Sequence, residues 1–178
     1  MLNVHKIIYN SRIYGPGERT VIWFKGCSLK CQGCINPELW SFDKENLYTS
    51  LELSQMIKSN SVTLLGGEPL DQEDILDFIK IVKSMNIGII LFTGYSIKNR
   101  EKMKIACYCD TVISEPFDTN KINSSLYLRG SENQIINHYS SRYNFKDFEQ
   151  KESIEIVINN EIEIRGREKD ILKKLLNI

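Results

Sequence analysis

Cys27, Cys31 and Cys34 lie within one short stretch, FKGCSLKCQGCINP (24–37). Whatever fold surrounds them, three thiols so close in sequence share one loop. The chain holds five cysteines in 178 residues. An odd count with a tight triplet is a poor disulfide framework and a better metal or redox site.

Thiolates bind soft metals. A structural zinc site takes four closed ligands, so a Cys3His site would have to recruit His5 or His138, the two histidines in the chain. A 4Fe–4S cluster has one more iron than there are thiols in the triplet. Its open position is where a small molecule can chelate. Plain reduced core cysteines fit this Gly-flanked loop least well.

The remaining composition is that of an ordinary globular domain: 42% apolar, 26% charged, with 23 basic and 23 acidic residues. The zero net charge gives no field that favours nucleic acid or anionic lipid. No apolar run reaches membrane-spanning length. The N-terminal MLNVHKIIYNSR lacks a signal-peptide pattern. The expectation is a cytoplasmic protein with neither a nucleic-acid nor a membrane partner.

Periodicity predicts alternating strands and helices. TVIWFK (20–25) reads as a strand leading into the cysteines, and TSLELSQMIKS (49–59) as a helix with a Thr49/Glu52 capping box. SVTLL (61–65) is a strand that runs into Gly66-Gly67. Ile75, Phe78, Ile79 and Val82 mark one face of a helix within 71–85. GIILFT (88–93) and DTVIS (110–114) are further strands, with a helix over 97–105 between them. This spacing fits βαβ units and a parallel sheet. The cysteine loop, Gly66–Pro69 and Gly94-Tyr95 all follow strand ends, which places them on one rim. SIEIVI (153–158) and EIEIR (161–165) alternate with period two around Asn159-Asn160, a hairpin pattern, and EKDILKKLLNI (168–178) reads as a terminal helix. The domain expectation is a core over 1–145 and an extension over 146–178.

Cys27-x3-Cys31-x2-Cys34 resembles the signature of the radical SAM superfamily, and LLGGEPL (64–70) resembles its second motif. YGPGERT (14–20), CQGCINPELW (31–40) with Gly33 before the third cysteine, FTGYS (92–96) and YLRGSENQIINH (127–138) are similar to segments of the anaerobic ribonucleotide reductase activating enzymes, a branch of the glycyl-radical-enzyme activases. The resemblance covers roughly residues 1–140.

It implies an α/β fold, an open partial (β/α) barrel, and a 4Fe–4S cluster on Cys27, Cys31 and Cys34. It implies S-adenosylmethionine bound at the free iron against Gly33, Ile35, Gly66, Gly67, Glu68 and Pro69. Asn36, Thr93, Tyr95 and Arg129 are candidates for cofactor or substrate contact. The implied reaction makes a 5′-deoxyadenosyl radical that takes a hydrogen from a glycine Cα of an anaerobic ribonucleotide reductase. A flavodoxin- or ferredoxin-like protein would supply the electron. The alternatives are a radical SAM enzyme acting on another protein, a peptide or a small metabolite, and a non-catalytic metal-binding interaction module.

Two departures stand out, and one of them is that Asn159–Ile178 extends well past where the resemblance stops. Ser114-Glu115-Pro116-Phe117 replaces an Asp-Gly pair that the family tends to carry after the fourth strand. Separately, Cys107 and Cys109 are too few for an auxiliary cluster and read as buried or edge thiols; their alternation near a strand places both on one face, which leaves a redox role open.

Overall fold

Strand and helix positions follow the apolar pattern of the chain, and the termini of that pattern add edge strands. A computed structural model describes residues 1–149, 154–158 and 162–166. In chain order it holds β1 (Leu2–Ser11), β2 (Arg19–Phe24), β3 (Asn46–Tyr48), α1 (Ser50–Gln55), β4 (Ser61–Gly66), α2 (Ile75–Ser84), β5 (Gly88–Phe92), α3 (Arg100–Ala106), β6 (Thr111–Ser114), β7 (Ile135–His138), β8 (Ile154–Ile158) and β9 (Ile162–Gly166). The first seven strands form one sheet in the order β3-β1-β2-β4-β5-β6-β7. β2, β4, β5 and β6 are parallel neighbours, with Val21 opposite Thr63, Thr63 opposite Ile90 and Ile90 opposite Thr111. β1 and β7 flank them antiparallel, and β3 pairs antiparallel with β1.

The parallel strands are apolar almost throughout because both of their faces are covered. On one face Ile22, Phe24, Val62, Leu64, Ile89, Leu91 and Val112 pack against Leu53 of α1, Ala106 of α3 and the predicted α2 face of Ile75, Phe78, Ile79 and Val82. On the other, Ile8, Val21 and Leu65 meet Tyr14, Trp23 and Phe92. Further along, Ile90 and Ile113 meet Phe148. α1 starts where the sequence signals it: Thr49 and Glu52 form the reciprocal capping box.

YGPGERT lies at the start of β2, at the opposite end of the parallel strands from the cysteine loop. Arg19 is fully buried. It donates to Thr63 Oγ1 at 3.1 Å and to the Pro16 carbonyl, and its guanidinium lies 5.7 Å from the Tyr143 ring centroid. A buried charge must be hydrogen-bonded, so Arg19 ties the YGPGERT segment to β4 through Thr63.

β8 and β9 form a separate antiparallel pair with Ile156 opposite Ile164. The Arg12 backbone N–H donates to Glu155 at 3.2 Å, tying the pair to the end of β1. The two paired strands bear out the hairpin strands expected here, although Ile156, Ile158 and Ile162 are exposed; Asn159-Asn160 and the terminal helix expected over 168–178 lie outside the described residues.

Candidate functional site

Because β2, β4, β5 and β6 are parallel, their carboxyl ends share one edge of the sheet. The cysteine loop after β2, the Gly66–Pro69 turn after β4 and Gly94-Tyr95 after β5 all lie there, as the spacing predicts. The first two are sutured backbone to backbone. Gly67 N–H donates to the Phe24 carbonyl and Glu68 N–H to the Gly26 carbonyl, both at 2.8 Å. Gly26 and Cys27 in turn donate to the carbonyls of Leu39 and Trp40 at 2.9 and 3.2 Å. A Cβ on Gly66 would lie 2.5 Å from Phe24 N and O, and one on Gly67 would lie 2.4 Å from Gly26 O. The glycine pair is therefore needed where two chain segments touch, before any ligand is considered.

All three cysteines are free thiols; Cys27 is buried and Cys31 and Cys34 are half-buried. Cys34 N–H closes a turn onto the Cys31 carbonyl at 3.2 Å. Gly33 takes φ +72°, and a Cβ there would lie 2.4 Å from Thr119 Cγ2, so the loop also abuts the segment after β6. Burial raises the Cys27 thiol pKa, opposed by the backbone N–H groups of Lys30 and Leu29. Phe24 belongs to the main core, while Trp23 sits on the other face, edge-on to Tyr14 at 5.8 Å.

The histidines are engaged elsewhere. His5 Nδ1 lies 3.1 Å from Glu45, and His138 Nδ1 lies 2.9 Å from Thr111 with its ring against Phe145 and Phe148. A Cys3His zinc site thus lacks its fourth ligand. Among the described residues no three or more His, Cys, Asp or Glu side chains are grouped so as to hold one metal ion. Three unbridged thiols on a glycine-shaped loop suit a cluster, whose irons each take a separate thiolate, better than a single ion.

Glu68 is buried and turned into the protein. It accepts Thr93 Oγ1–H and Gly94 N–H at 2.8 Å and Leu70 N–H at 3.0 Å. Burial pushes its pKa up to about 7, and these three hydrogen bonds oppose that rise. The resemblance implies an S-adenosylmethionine contact for Glu68; in the structure its carboxylate braces the β4 and β5 ends. Thr93 is buried in the same brace and accepts the Tyr95 N–H at 3.1 Å. Pro69 is buried at the start of a short 3-10 turn. Ile35 is 75% exposed, and Asn36 precedes the 3-10 turn Pro37–Leu39. Arg129 donates to the Gln134 carbonyl at 3.3 Å, in a segment that reaches the β6 end through Gln134 and Glu115.

Sequence reasoning missed Ser28, Asp71 and Lys102, which meet around the Tyr95 hydroxyl. Asp71 directly follows the Gly-Gly-Glu-Pro-Leu motif, the one sequence signal that pointed to it. Glu115, in place of the family's Asp-Gly pair, takes φ +83°, a region that favours glycine, while its carboxylate accepts Ile97 N–H at 2.9 Å. Cys109 is the buried thiol expected, but the expectation that Cys107 and Cys109 share one face is corrected. β6 begins only at Thr111; Cys107 is exposed at the end of α3, and Cys109 is buried in the core. The turn between helix and strand separates them.

A thiol triplet and a glycine-rich turn thus share one rim of an α/β sheet, an arrangement suited to an iron–sulfur protein. The family model described as a 4Fe-4S single cluster domain matches residues 13–137. The chain belongs to the family of the anaerobic ribonucleoside-triphosphate reductase-activating proteins. It is 33% identical over 142 residues to the one from Haemophilus influenzae, covering 71% of this chain and 92% of that protein. Against the one from Enterobacteria phage T4 it is 30% identical over 144 residues, covering 75% and 92%. For Escherichia coli K12 the figures are 26% over 152 residues, 77% and 99%.

Proposed function

We propose that this protein is a radical SAM enzyme that installs a glycyl radical on an anaerobic ribonucleoside-triphosphate reductase. The observation that carries this reading is the backbone suture joining the three-thiol loop to the Gly66–Pro69 turn. It makes the two sequence motifs one surface. The relatives' names supply the reductase as partner.

In this reading Cys27, Cys31 and Cys34 hold the 4Fe–4S cluster, and S-adenosylmethionine binds its free iron beside Gly33, Ile35, Gly66, Gly67, Glu68 and Pro69. When bound, the cluster supplies the electron that splits S-adenosylmethionine into methionine and a 5′-deoxyadenosyl radical. The Glu68 carboxylate is committed to Thr93, Gly94 and Leu70. The backbone of the turn is therefore left to accept the methionine ammonium, and Glu68 keeps that backbone in shape. Trp23, Leu65 and Phe92 form an apolar patch on the sheet face away from the helices, which would limit water near the reacting atoms. Asn36, Thr93, Tyr95 and Arg129 remain candidate contacts.

We read the sheet as an open partial barrel, with residues 1–145 as its core and 146–178 as an extension. A glycine-bearing loop of the reductase would close its mouth. A flavodoxin- or ferredoxin-like donor would reduce the cluster in the cytoplasm. No helix among the described residues is long and apolar enough to cross a membrane.

Anaerobic reconstitution tests the reading. The protein should take up about four irons per chain and release 5′-deoxyadenosine from S-adenosylmethionine under reduction. Cys31→Ala should abolish that release with an unchanged circular dichroism spectrum; an iron-loaded, active variant would contradict the assignment. A glycyl radical signal on added reductase identifies the substrate. Deoxyadenosine release without that signal would move the substrate to another protein, a peptide or a small metabolite.

A further inference from the structure

Asp71 lies in the turn after Pro69, and its side chain is 8% exposed. Its Oδ2 accepts the Ser28 backbone N–H at 2.8 Å. Its Oδ1 accepts the Tyr95 hydroxyl at 2.7 Å and Lys102 Nζ at 3.2 Å. The Ser28 hydroxyl lies 3.0 Å from the Tyr95 hydroxyl, and Lys102 Nζ sits 4.7 Å from the Tyr95 ring centroid while also donating to the Leu70 carbonyl. One carboxylate thus joins the cysteine loop, the β5-end loop and α3.

We propose that Asp71 is a positioning residue that fixes the backbone of Cys27, and with it the Cα–Cβ direction that carries the thiol, before any cofactor binds. The proposal rests on reading this loop as the cluster site. The amide before Cys27 is held by its N–H bond to the Trp40 carbonyl. The amide after it is held by the Ser28 N–H bond to Asp71. With the peptide planes on both sides pinned, φ and ψ of Cys27 have little freedom, so the Cα–Cβ direction is set. Charge-assisted bonds of this kind are the stronger ones. Although burial acts to raise the Asp71 pKa, hydrogen bonds from Tyr95, Ser28 and Lys102 hold it below the ordinary carboxylate value. Tyr95 is thus placed as a strut of the clamp, with its hydroxyl committed to Ser28 and Asp71.

Asp71→Ala, Asp71→Asn and Ser28→Ala in the full chain test this. In the cluster-free protein, the Ser28 amide should exchange slowly in the wild type and about tenfold faster or more in Asp71→Ala. In the reconstituted protein, a chelator should strip iron from Asp71→Ala about ten times faster. Its cluster should also need more S-adenosylmethionine to show the ligand-induced change in its electron paramagnetic resonance spectrum. Asp71→Asn keeps an oxygen for Ser28 and should recover part of each effect, while Ser28→Ala keeps the N–H and should resemble wild type. If Asp71→Ala lowers the melting temperature yet keeps wild-type stripping and S-adenosylmethionine dependence, its role is stability alone and the proposal fails. It also fails if Ser28 exchange is unchanged. A wild-type protein that takes up no cluster would sink the reading of the loop, while the exchange result still decides the clamp.

Discussion

The Glu68 carboxylate at the end of β4 accepts the Gly94 backbone N–H at the end of β5 at 2.8 Å. One buried acid therefore sets the separation of two loops on the rim that carries the cysteines. Its pKa, pushed up to about 7 by burial, makes this contact pH-dependent. A carboxyl with a raised folded-state pKa binds its proton more tightly folded than unfolded. Its stabilising share is present in acid and is lost as pH rises from about 4.5 through about 7. The shift corresponds to about 3 kcal/mol. Glu68→Gln removes this proton linkage, and its amide nitrogen sets a donor against Gly94 N–H or Leu70 N–H. Urea unfolding of the cluster-free protein should show the wild-type curve falling relative to the variant across that window. Parallel curves would disprove the assignment.

The Gly67 suture can be tested by size alone. Gly67→Ala places a methyl 2.4 Å from Gly26 O, a backbone atom that cannot swing aside. The variant should lose about 2 kcal/mol or more of stability. Gly17, at φ +71°, has no atom within 4 Å of the place a methyl would take; Gly17→Ala should cost only the backbone strain, about 1 kcal/mol. Urea midpoints of the two variants give the comparison, and equal losses would mean that the suture yields.

Thiol labelling separates the two remaining cysteines. Cys107 is exposed, whereas Cys109 is buried and its thiol pKa is raised by burial first and by Asp110 second. In native cluster-free protein, iodoacetamide should alkylate Cys107 and leave Cys109 intact until denaturant is added. Peptide mass spectrometry reads the result. Replacing both with serine should leave iron content unchanged.

The sequence made much of this molecule legible. The parallel strands, the α2 face and the Thr49 cap were readable because burial on both sheet faces and the 3.6 period leave a direct apolar trace. β1, β3 and β7 were missed. β1 carries His5 half-buried and Lys6 exposed, which breaks its apolar run, and β3 is three residues long. β3 and β7 are the edges of the sheet, and short edge strands owe their pairing to a neighbour more than to their own pattern.

The two motifs were visible because each is local: three thiols on one loop, and a Gly-Gly-Glu-Pro turn at a strand end. The role of Glu68 was not, because whether a carboxylate faces a ligand or the protein depends on Thr93 and Gly94, some 25 residues away. The Asp71 clamp was likewise out of reach, since Ser28 lies 43 residues from it. Sequence alone determined which donors stand together and which segments alternate, since spacing and periodicity are properties of the chain. Tertiary structure alone decided which of those groups are spent on bracing the rim, because a hydrogen bond is claimed by whichever partner folding brings within reach.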